Sequence, residues 1–343
     1  MEPIFYNSLN LALESNYSKL TRLKNHYQTW QRAWENIQNS EKQSYNPEKE
    51  WQKLENLNIK LCLLGDLSFP PLLQEIPHPP FGLYLLGNDK IISQESIAIV
   101  GTRKASQTGK ELAKHFSTSL AQADLNIISG LALGIDTKSH EGALEAKKNT
   151  VAVFGNGLDY IYPRINEKLA KKILDQSGLL VSEYPPGTPS LPYRFLERNR
   201  IISGLSRGIL IIEAPENSGS LATARFALDQ NREIFVVPGF INHPNFKGSN
   251  ELIRQGATLV TKPEHILEVL KPEFLTTPKN PPTIFNITQE ESKILNTFSS
   301  THQTLNIDKI IELTKLDAQT VNQTLSFLVI KNLIKETENG YTL

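Results

Sequence analysis

The stretch IAIVGTRKAS, residues 97–106, decides the class of fold. Its apolar start is typical of a buried parallel strand, and the glycine after it is typical of the first turn of a dinucleotide-binding domain. In a dinucleotide fingerprint a second glycine follows two residues later, so that the backbone can approach a pyrophosphate. Here that position carries Arg103. The turn therefore predicts recognition of a phosphate by a side chain.

Similar apolar runs continue along residues 97–270 and alternate with segments of helix length. They are LNIIS at 125, TVAVF at 150, LLVS at 179, ILIIE at 209, EIFVV at 233 and ATLV at 257. Fully apolar strands separated by helices predict a parallel sheet covered on both faces. We predict an α/β fold with an extended Rossmann-like, doubly wound and mostly parallel sheet, which IKLCLL at 59 and FGLYLLG at 81 extend.

The regions on either side of this sheet have different patterns. Residues 1–58 predict a helical N-terminal domain, with Trp30, Trp34 and Trp51 on one buried face. The α/β domain is assigned to residues 59–270, and the proline-rich residues 271–285 predict a linker. Residues 286–343 predict three helices and a hairpin, which together indicate a winged-helix-like domain.

Composition excludes several classes of protein. The chain has 343 residues with 36 basic and 36 acidic side chains, so no overall field attracts polyanions. Residues 97–270 alone hold 20 basic against 17 acidic side chains. The single cysteine, Cys62, excludes a disulfide framework and a clustered zinc site. No run approaches the roughly 20 apolar residues that span a bilayer, and we expect a cytoplasmic protein without membrane insertion.

The turns after the predicted strands carry the residues that could bind a ligand, because open α/β sheets bind ligands at the carboxyl ends of their strands. Arg103 and Lys104 precede a predicted helix start, and helix donors with a guanidinium would form a phosphate site. A structural salt bridge is the alternative for Arg103. The small residues Ser218 to Ser220 precede another helix and predict a second anion cradle.

A proline-rich loop after the run at 179 ends in three arginines within seven residues, Arg194, Arg198 and Arg200, with Phe195 between them. Cations follow the backbone of single-stranded nucleic acid while aromatic rings stack on its bases. The segment therefore predicts a nucleic-acid contact. The alternative is a charged helix start in which Glu197 is the partner of the arginines.

Two other turns leave alternatives open. Asp136 and His140 stand four residues apart on a predicted helix, where we expect capping by Asp136 and packing of His140, with metal binding as the alternative. In GNGLDYIYP, Tyr160 and Tyr162 are candidate stacking surfaces, although core packing is expected for at least one of them.

Motifs for catalysis or cofactor binding are missing from the sequence. Ser129 lacks the G-x-S-x-G context of a nucleophile, the histidines show no triad or zinc spacing, and no Walker motif is present. We therefore expect no enzymatic activity, no cofactor and no bound metal.

Taken together, these turns resemble the DNA-processing protein A family (DprA, also called Smf), whose members bind single-stranded DNA and load RecA recombinase on it. The resemblance covers about residues 60–260 and includes VGTR, SGLALGID, GNGLDYIYP, SEYPPG, RNRIISGLS, SGSLATA and PG in the family's order. The upstream FPPLLQEIPHPPFGLYLLG is also similar, with Phe69 where tyrosine is more usual.

The residues and the resemblance together give a set of candidate DNA-binding positions. They are Gly101, Thr102, Arg103, Lys104, Ser129, Gly130, Phe195, Arg198, Asn199, Arg200, Ser218, Gly219 and Ser220. The resemblance further implies a SAM-like N-terminal domain, a homodimer, and RecA and single-strand-binding protein as partners. It implies a non-catalytic role in DNA processing, in natural transformation of competent cells and in homologous recombination.

Two other functions remain as alternatives. One is an enzyme or sensor that binds a free nucleotide. The hydrolytic relatives of this kind carry a turn similar to PGGxGTxxE, and here Ala224 and Arg225 stand where its acid is needed. The other is an adaptor that acts through its helical ends. Residues 284–343 hold 5 basic and 7 acidic side chains, and the third predicted helix ends in its only cation, Lys331, so a structural or protein-contact role is favoured there.

Overall fold

The computed structural model of the chain describes residues 2–42, 45–271, 288–301, 304–330, 333–337 and 340–342. The chain divides into two units, Met1–Thr276 and Thr277–Leu343. Apart from Lys271, the predicted linker lies outside the described residues. Helices in the described ranges are all too short or too polar to span a membrane.

The first unit begins with helices and continues as alternating strands and helices. The N-terminal helices are α1 (Glu2–Ala12), α2 (Tyr17–Tyr27), α3 (Trp30–Asn36), α4 (Asn39–Lys42) and α5 (Pro47–Asn56). The strands are β1 (Lys60–Leu63), β2 (Gly82–Gly87), β3 (Ser96–Gly101), β4 (Asn126–Ser129), β5 (Thr150–Phe154), β6 (Leu179–Ser182), β7 (Gly208–Ile212), β8 (Glu233–Val236) and β9 (Thr258–Leu259). The helices among them are α6 (Pro71–Gln74), α7 (Gln107–Gln122), α8 (Ile135–Glu145), α9 (Glu167–Asp175), α10 (Pro192–Gly204), α11 (Gly219–Asp229), α12 (Lys247–Arg254) and α13 (Glu264–Leu270).

All these strands form one nine-stranded sheet in the order β1-β2-β6-β5-β4-β3-β7-β8-β9. Strands β3 to β9 run parallel, whereas β2 pairs antiparallel with both β1 and β6. The chain moves outward from β3 to β6 and then crosses back through α10 to β7, on the other side of β3. The predicted doubly wound, mostly parallel α/β sheet is therefore confirmed, and its switch point lies between β3 and β7.

Helices cover both faces of the sheet, because successive strand residues point to opposite sides. Ala98 and Val100 of β3 pack in a core with residues of α10 and α11. Ile97 and Ile99 of the same strand pack in a second core with residues of α7 and α13. This two-sided burial explains why the strands are apolar throughout, and why the sequence pattern located them.

The N-terminal helices have a core of their own. Trp30 and Trp34 pack there with Tyr6 and Leu9. Trp51 does not join them; it is half-buried and packs against a separate cluster that contains residues of β2, β5 and β6. The prediction of one buried face for all three tryptophans is wrong for Trp51, because α5 turns it towards the sheet.

The second unit contains α14 (Gln289–Thr301), α15 (Ile307–Thr314), α16 (Ala318–Ile330), β10 (Lys335–Thr337) and β11 (Gly340–Thr342). Its core contains Phe298, Ile310 and Leu325. The two strands pair antiparallel, as the predicted hairpin requires, while residues 338 and 339 lie outside the described part of the chain. Lys331 also lies outside it, and the winged-helix assignment stays a prediction.

Candidate nucleic-acid interface

A cavity of about 440 Å³ lies at the carboxyl ends of β3 and β7. The turn after β3, helix α10 and the start of α11 form its walls. Most of the predicted site residues line it, namely Gly101, Thr102, Arg103, Lys104, Phe195, Arg198, Asn199, Ser218, Gly219 and Ser220. The sheet register brings these turns together, because Gly101 of β3 pairs with Ile212 of β7. Ser129, Gly130 and Arg200 are not among the lining residues.

The N-terminus of α7 is filled by a carboxylate of the chain itself. Glu213, which follows β7 and is fully buried, accepts hydrogen bonds from the Ser106 N–H and from Nδ2 of Asn245, both at 2.9 Å. The Ser106 hydroxyl donates to the second oxygen of Glu213 and caps α7 by accepting from the Gly109 N–H at 2.9 Å. A carboxylate of the chain therefore stands beside the helix start that was predicted to meet a phosphate, and the phosphate contact through these donors stays a prediction.

Reasoning from the sequence missed Glu213, which ends the apolar run ILIIE. Ser106 lies 107 residues before it and Asn245 lies 32 residues after it. No local motif connects the three side chains. The one signal was an acid directly after a fully apolar strand, a position where a carboxylate needs partners to be buried.

The N-terminus of α11 is open by comparison. Ser218 caps it by accepting from the Leu221 N–H at 3.4 Å, and the hydroxyls of Ser218 and Ser220 lie 2.8 Å apart. Gly219 is exposed, and no heavy atom lies within 4 Å of the point where a Cβ would stand. The first N–H groups of a helix have no acceptor within it, so this end offers donors and the positive end of the helix dipole to an anion.

Arg103 and Lys104 supply exposed positive charge at the same cavity. The Arg103 guanidinium lies 5.9 Å from the centre of the Phe195 ring. Within the described ranges no carboxylate forms an ion pair with it, so the salt-bridge alternative finds no support. An arginine held only by an aromatic ring keeps its hydrogen-bond donors for a ligand.

Arg198 places a second guanidinium deeper in the cavity. Its Nη1 donates to the Gly130 carbonyl at 3.0 Å and also to the Val153 carbonyl. Burial lowers the pKa of Arg198 to about 10, which still leaves it charged at neutral pH. A Cβ on Gly130 would stand 2.6 Å from Nη2 of Arg198, so only glycine permits this approach.

Ser129 and Asp136 also lie behind Arg198. The Ser129 hydroxyl is buried and donates to the Ile99 carbonyl at 2.7 Å, which ties β4 to β3. Oδ2 of Asp136 accepts from the Gly130 N–H at 3.0 Å, and burial raises the pKa of this carboxyl while the nearby Arg198 opposes the rise. Asp136 lines the cavity beside Arg198, whereas Ser129, a candidate DNA-binding residue, does not line it.

The structure separates the roles predicted for Asp136 and His140. Helix α8 begins after Gly134 and has no side-chain cap, so the expected capping by Asp136 is wrong. His140 is fully buried with Nδ1 2.8 Å from the Thr150 hydroxyl, and burial lowers its pKa to about 3. The described residues contain no group of side chains suited to a metal ion. The packing interpretation of His140 is confirmed.

The other two arginines of α10 point away from the cavity. Arg194 lies over the rings of Tyr184 and Tyr193, and its Nη1 donates to a backbone carbonyl. Arg200 forms a buried ion pair with Glu183 at 2.6 Å. Two residues correspond to about 200° on a helix, so Arg200 faces away from Arg198. Arg194, four residues before Arg198, shares its side of the helix, but its guanidinium is held by Tyr184, Tyr193 and the Pro189 carbonyl.

Glu197 is not the charge partner that was considered for these arginines. Its carboxylate accepts from the Tyr184 hydroxyl at 2.9 Å. Of the interleaved cations and ring, only Phe195 and Arg198 therefore line the cavity.

Two larger cavities lie against the N-terminal helices, with volumes of about 760 and 710 Å³. The first is lined by three acids and two cations, and the second by three acids and three cations. In the cavity at the switch point three cations face one buried carboxylate. The smaller cavity is thus the one whose charge suits a polyanion.

Comparisons with known proteins match the α/β domain to one family. The family model described as DNA recombination-mediator protein A matches residues 60–271. Protein Smf of Escherichia coli is 45% identical over 218 residues, which cover 64% of this chain and 58% of that protein. The chain thus matches little more than half the length of that relative.

Two solved structures are similar to the chain. DNA processing protein A from Streptococcus pneumoniae superposes with a TM-score of 0.62 and 34% identity, over 71% of this chain and 81% of that one. DNA processing protein A from Helicobacter pylori gives a TM-score of 0.56 and 31% identity, over 62% of this chain and 97% of that one. The description of the second structure concerns its single-stranded DNA binding mode.

Proposed function

We propose that this chain, which belongs to the DNA recombination-mediator protein A family, is a DNA-processing protein that binds single-stranded DNA in the cavity between β3 and β7. One observation carries the proposal. Arg103, which has no ion-pair partner among the described residues, lines the same cavity as the open N-terminus of α11, and the Phe195 ring lies there with them. The Helicobacter pylori relative, whose description names single-stranded DNA binding, supports the choice of ligand.

The proposed site combines two kinds of contact. Arg103, Lys104 and the α11 start with Ser218 and Ser220 contact phosphates, which are present in every nucleotide. Phe195 stacks on a base, and stacking on an aromatic ring depends little on which base it is. We therefore expect binding that tracks the backbone with little sequence preference.

Other candidate residues support the proposed site by adding charge or by holding its helices in place. Arg198 adds charge deep in the cavity and is held by the Gly130 carbonyl at 3.0 Å. Nδ2 of Asn199 donates to the Gly219 carbonyl at 3.2 Å and so ties α11 to α10. Arg200, paired with Glu183, stabilises α10 without touching DNA.

We further propose that the chain is non-catalytic and cytoplasmic, forms a homodimer and loads RecA recombinase on single-stranded DNA, with single-strand-binding protein as a further partner. The family description as a recombination mediator supports this role. Natural transformation of competent cells is the process proposed for it. The domain boundaries at 58, 270 and 285 and a winged-helix fold for residues 286–343 belong to the same proposal.

A free-nucleotide enzyme or sensor is disfavoured by Glu213. Its carboxylate accepts from the N–H and hydroxyl of Ser106 at the start of α7, where a doubly wound fold would hold the phosphates of a nucleotide. A phosphate would have to displace a buried, hydrogen-bonded anion of the same charge. Recognition of a strand at the α11 side avoids this conflict.

Titration of a fluorescent oligothymidylate across a series of salt concentrations tests the proposed site. Arg103→Ala removes a charged hydrogen-bond donor worth about 1.5–3 kcal/mol, so affinity should fall about 10- to 150-fold at low salt. The slope of log affinity against log salt should shrink by about 0.7, the value for one phosphate contact on single strands.

Arg207→Ala is the matched control. Arg207 is half-exposed, pairs with Glu95 and precedes β7 at the opposite edge of the sheet. Its removal should change neither affinity nor slope. The proposal is lost if Arg103→Ala behaves like this control, or if mononucleotides raise the melting temperature strongly while oligonucleotides do not.

A further inference from the structure

The ring of Tyr162 continues the aromatic surface of the cavity beyond its rim. The ring centres of Tyr162 and Phe195 are 5.3 Å apart, with 32° between the ring planes. Phe195 lines the cavity whereas Tyr162 does not, and the Tyr162 side chain is 42% exposed. Two rings in this arrangement form one apolar surface that begins inside the cavity and ends in solvent.

Positive charge accompanies this surface at its inner end. The guanidinium carbons of Arg103 and Arg198 each lie 5.9 Å from the centre of the Phe195 ring. A strand whose phosphates reach these cations would carry its bases onto Phe195 and then towards Tyr162. Cations at the inner end and rings beyond them suit a single strand, because its phosphates bind cations and its bases stack on aromatic rings.

Hydrogen bonds hold the chain on both sides of Tyr162. Nδ2 of Asn156 donates to the Tyr160 carbonyl at 3.0 Å. Nδ2 of Asn166 donates to the Leu131 carbonyl at 2.8 Å and to the Thr137 hydroxyl at 2.9 Å, which ties the segment after Tyr162 to the turn after β4. A ring that is already held in place loses little conformational entropy when a base stacks on it.

Tyr160 has a similar exposure, 37%, but a different environment. Its hydroxyl lies 3.4 Å from the Thr188 carbonyl, and it makes no ring contact with Phe195 in the part of the chain that the structure describes. Of the two tyrosines in this turn, Tyr162 is therefore the one placed to extend the site.

The size of the cavity requires such an extension. Its volume of about 440 Å³ lies near the lower end of the range of about 300–1,000 Å³ that holds small ligands. A strand of several nucleotides must therefore cross the rim.

We infer that the nucleobase following the one on Phe195 stacks on Tyr162, so that the turn after β5 forms the exit of the DNA path. The inference rests on the proposed function and deepens it. The ligand is a single strand long enough to leave the cavity, and the contact is to a base face rather than to a base edge.

Two measurements on the full chain test this inference. Anisotropy with oligothymidylates of increasing length gives the affinity of each protein, and 2-aminopurine placed at successive positions reports which base is stacked. Tyr162→Ala should bind long oligonucleotides about 5- to 150-fold more weakly, the range for loss of one base–aromatic stack. Oligonucleotides too short to cross the rim should keep their affinity.

Three comparisons separate stacking from a general effect of the substitution. Tyr162→Phe keeps the ring and should bind as the unmodified protein does, and Tyr160→Ala should also be unchanged. An abasic nucleotide at the position that loses its 2-aminopurine signal in Tyr162→Ala should weaken binding by the unmodified protein. With that abasic strand, Tyr162→Ala should cause no further loss.

The outcomes distinguish this inference from the proposed function beneath it. If Tyr162→Ala binds all lengths normally while Arg103→Ala binds more weakly, the proposed DNA site in the cavity is retained and the stacking of a base on Tyr162 is wrong. Equal weakening at every length overturns the inference too, because Tyr162 would then act only by supporting Phe195. If Arg103→Ala binds normally as well, the proposed DNA site itself fails.

Discussion

Helices α7 and α11 begin at the same edge of the sheet, after the neighbouring strands β3 and β7, yet only one start is available to a ligand. Both are capped by a serine, Ser106 and Ser218, whose hydroxyl accepts from a backbone N–H three residues later. The α7 start is closed by the buried Glu213, whereas Gly219 at the α11 start meets open space.

A turn of the right shape therefore does not by itself identify a phosphate site. A helix start attracts any anion, and a carboxylate from the same chain satisfies it as well as a phosphate does. In the proposed site the start of α7 stabilises the fold, and the start of α11 contacts the ligand. Substitutions at the two ends should therefore separate stability from DNA affinity.

The largest effect is expected from Glu213→Ala. The substitution removes the charged acceptor of the Ser106 N–H and hydroxyl, while the half-buried Asn245 amide keeps its bond to the Lys104 carbonyl. Each lost charged hydrogen bond is costly. We expect the free energy of unfolding to fall by about 3 kcal/mol, measured by urea denaturation. Glu216→Ala is the control, because that side chain is 70% exposed and should change stability by less than about 0.5 kcal/mol. A loss below about 1 kcal/mol for Glu213→Ala would show that the α7 start is not closed as described.

A smaller loss is expected from Gly109→Ala. The added Cβ would stand 2.4 Å from Oε1 of Glu213, so the carboxylate or the helix must shift. Overpacking of this kind costs about 1–3 kcal/mol. DNA affinity of the folded protein should stay unchanged in the anisotropy assay, since Gly109 does not line the cavity. Thr108→Ala, at an exposed neighbouring position, is the control. If Gly109→Ala alone weakened DNA binding, the start of α7 would take part in binding and the distinction from the start of α11 would be lost.

The two capping serines give a paired test. Ser106→Ala and Ser218→Ala should each lower stability by about 0.5–2 kcal/mol, the usual value of a helix cap. The loss should be greater for Ser106, because its hydroxyl also donates to Glu213. Only Ser218→Ala should also weaken DNA binding, by a few fold. Equal effects of both substitutions on DNA affinity would contradict the assignment of one end to structure and the other to ligand.

The features of the fold and of the site that could be predicted from the sequence are those that local contacts determine. The strands were predictable because both faces of the sheet are buried, which makes runs such as Ile97–Val100 apolar throughout. The cavity could be predicted from the rule that strand ends meet at one edge. Most of the residues proposed from the turns do line it, including Arg103 and Ser218.

The directions of individual side chains could not be predicted in the same way. Three arginines in seven residues resembled one basic patch, but Arg194 is held by Tyr184 and the Pro189 carbonyl, and Arg200 faces Glu183. The closure of the α7 start depends on Glu213, whose partner Ser106 is 107 residues away. Sequence patterns record local periodicity well and such long-range pairings poorly.

The smallest effect, and the sharpest test of the α11 end, is expected from Gly219→Ala. No heavy atom lies within 4 Å of the new methyl group, so the fold should not be strained, and alanine is a better helix former than glycine by up to about 1 kcal/mol. Stability measured in urea should therefore stay equal or rise. The methyl group obstructs the approach of a phosphate to the first turn, where an anion gains about 0.3–1 kcal/mol, so DNA affinity should fall about two- to fivefold. A variant that is at least as stable but binds DNA more weakly would separate ligand contact from structure at this end. Unchanged affinity would mean that both helix starts are structural and that Arg103 and Phe195 hold the strand without α11.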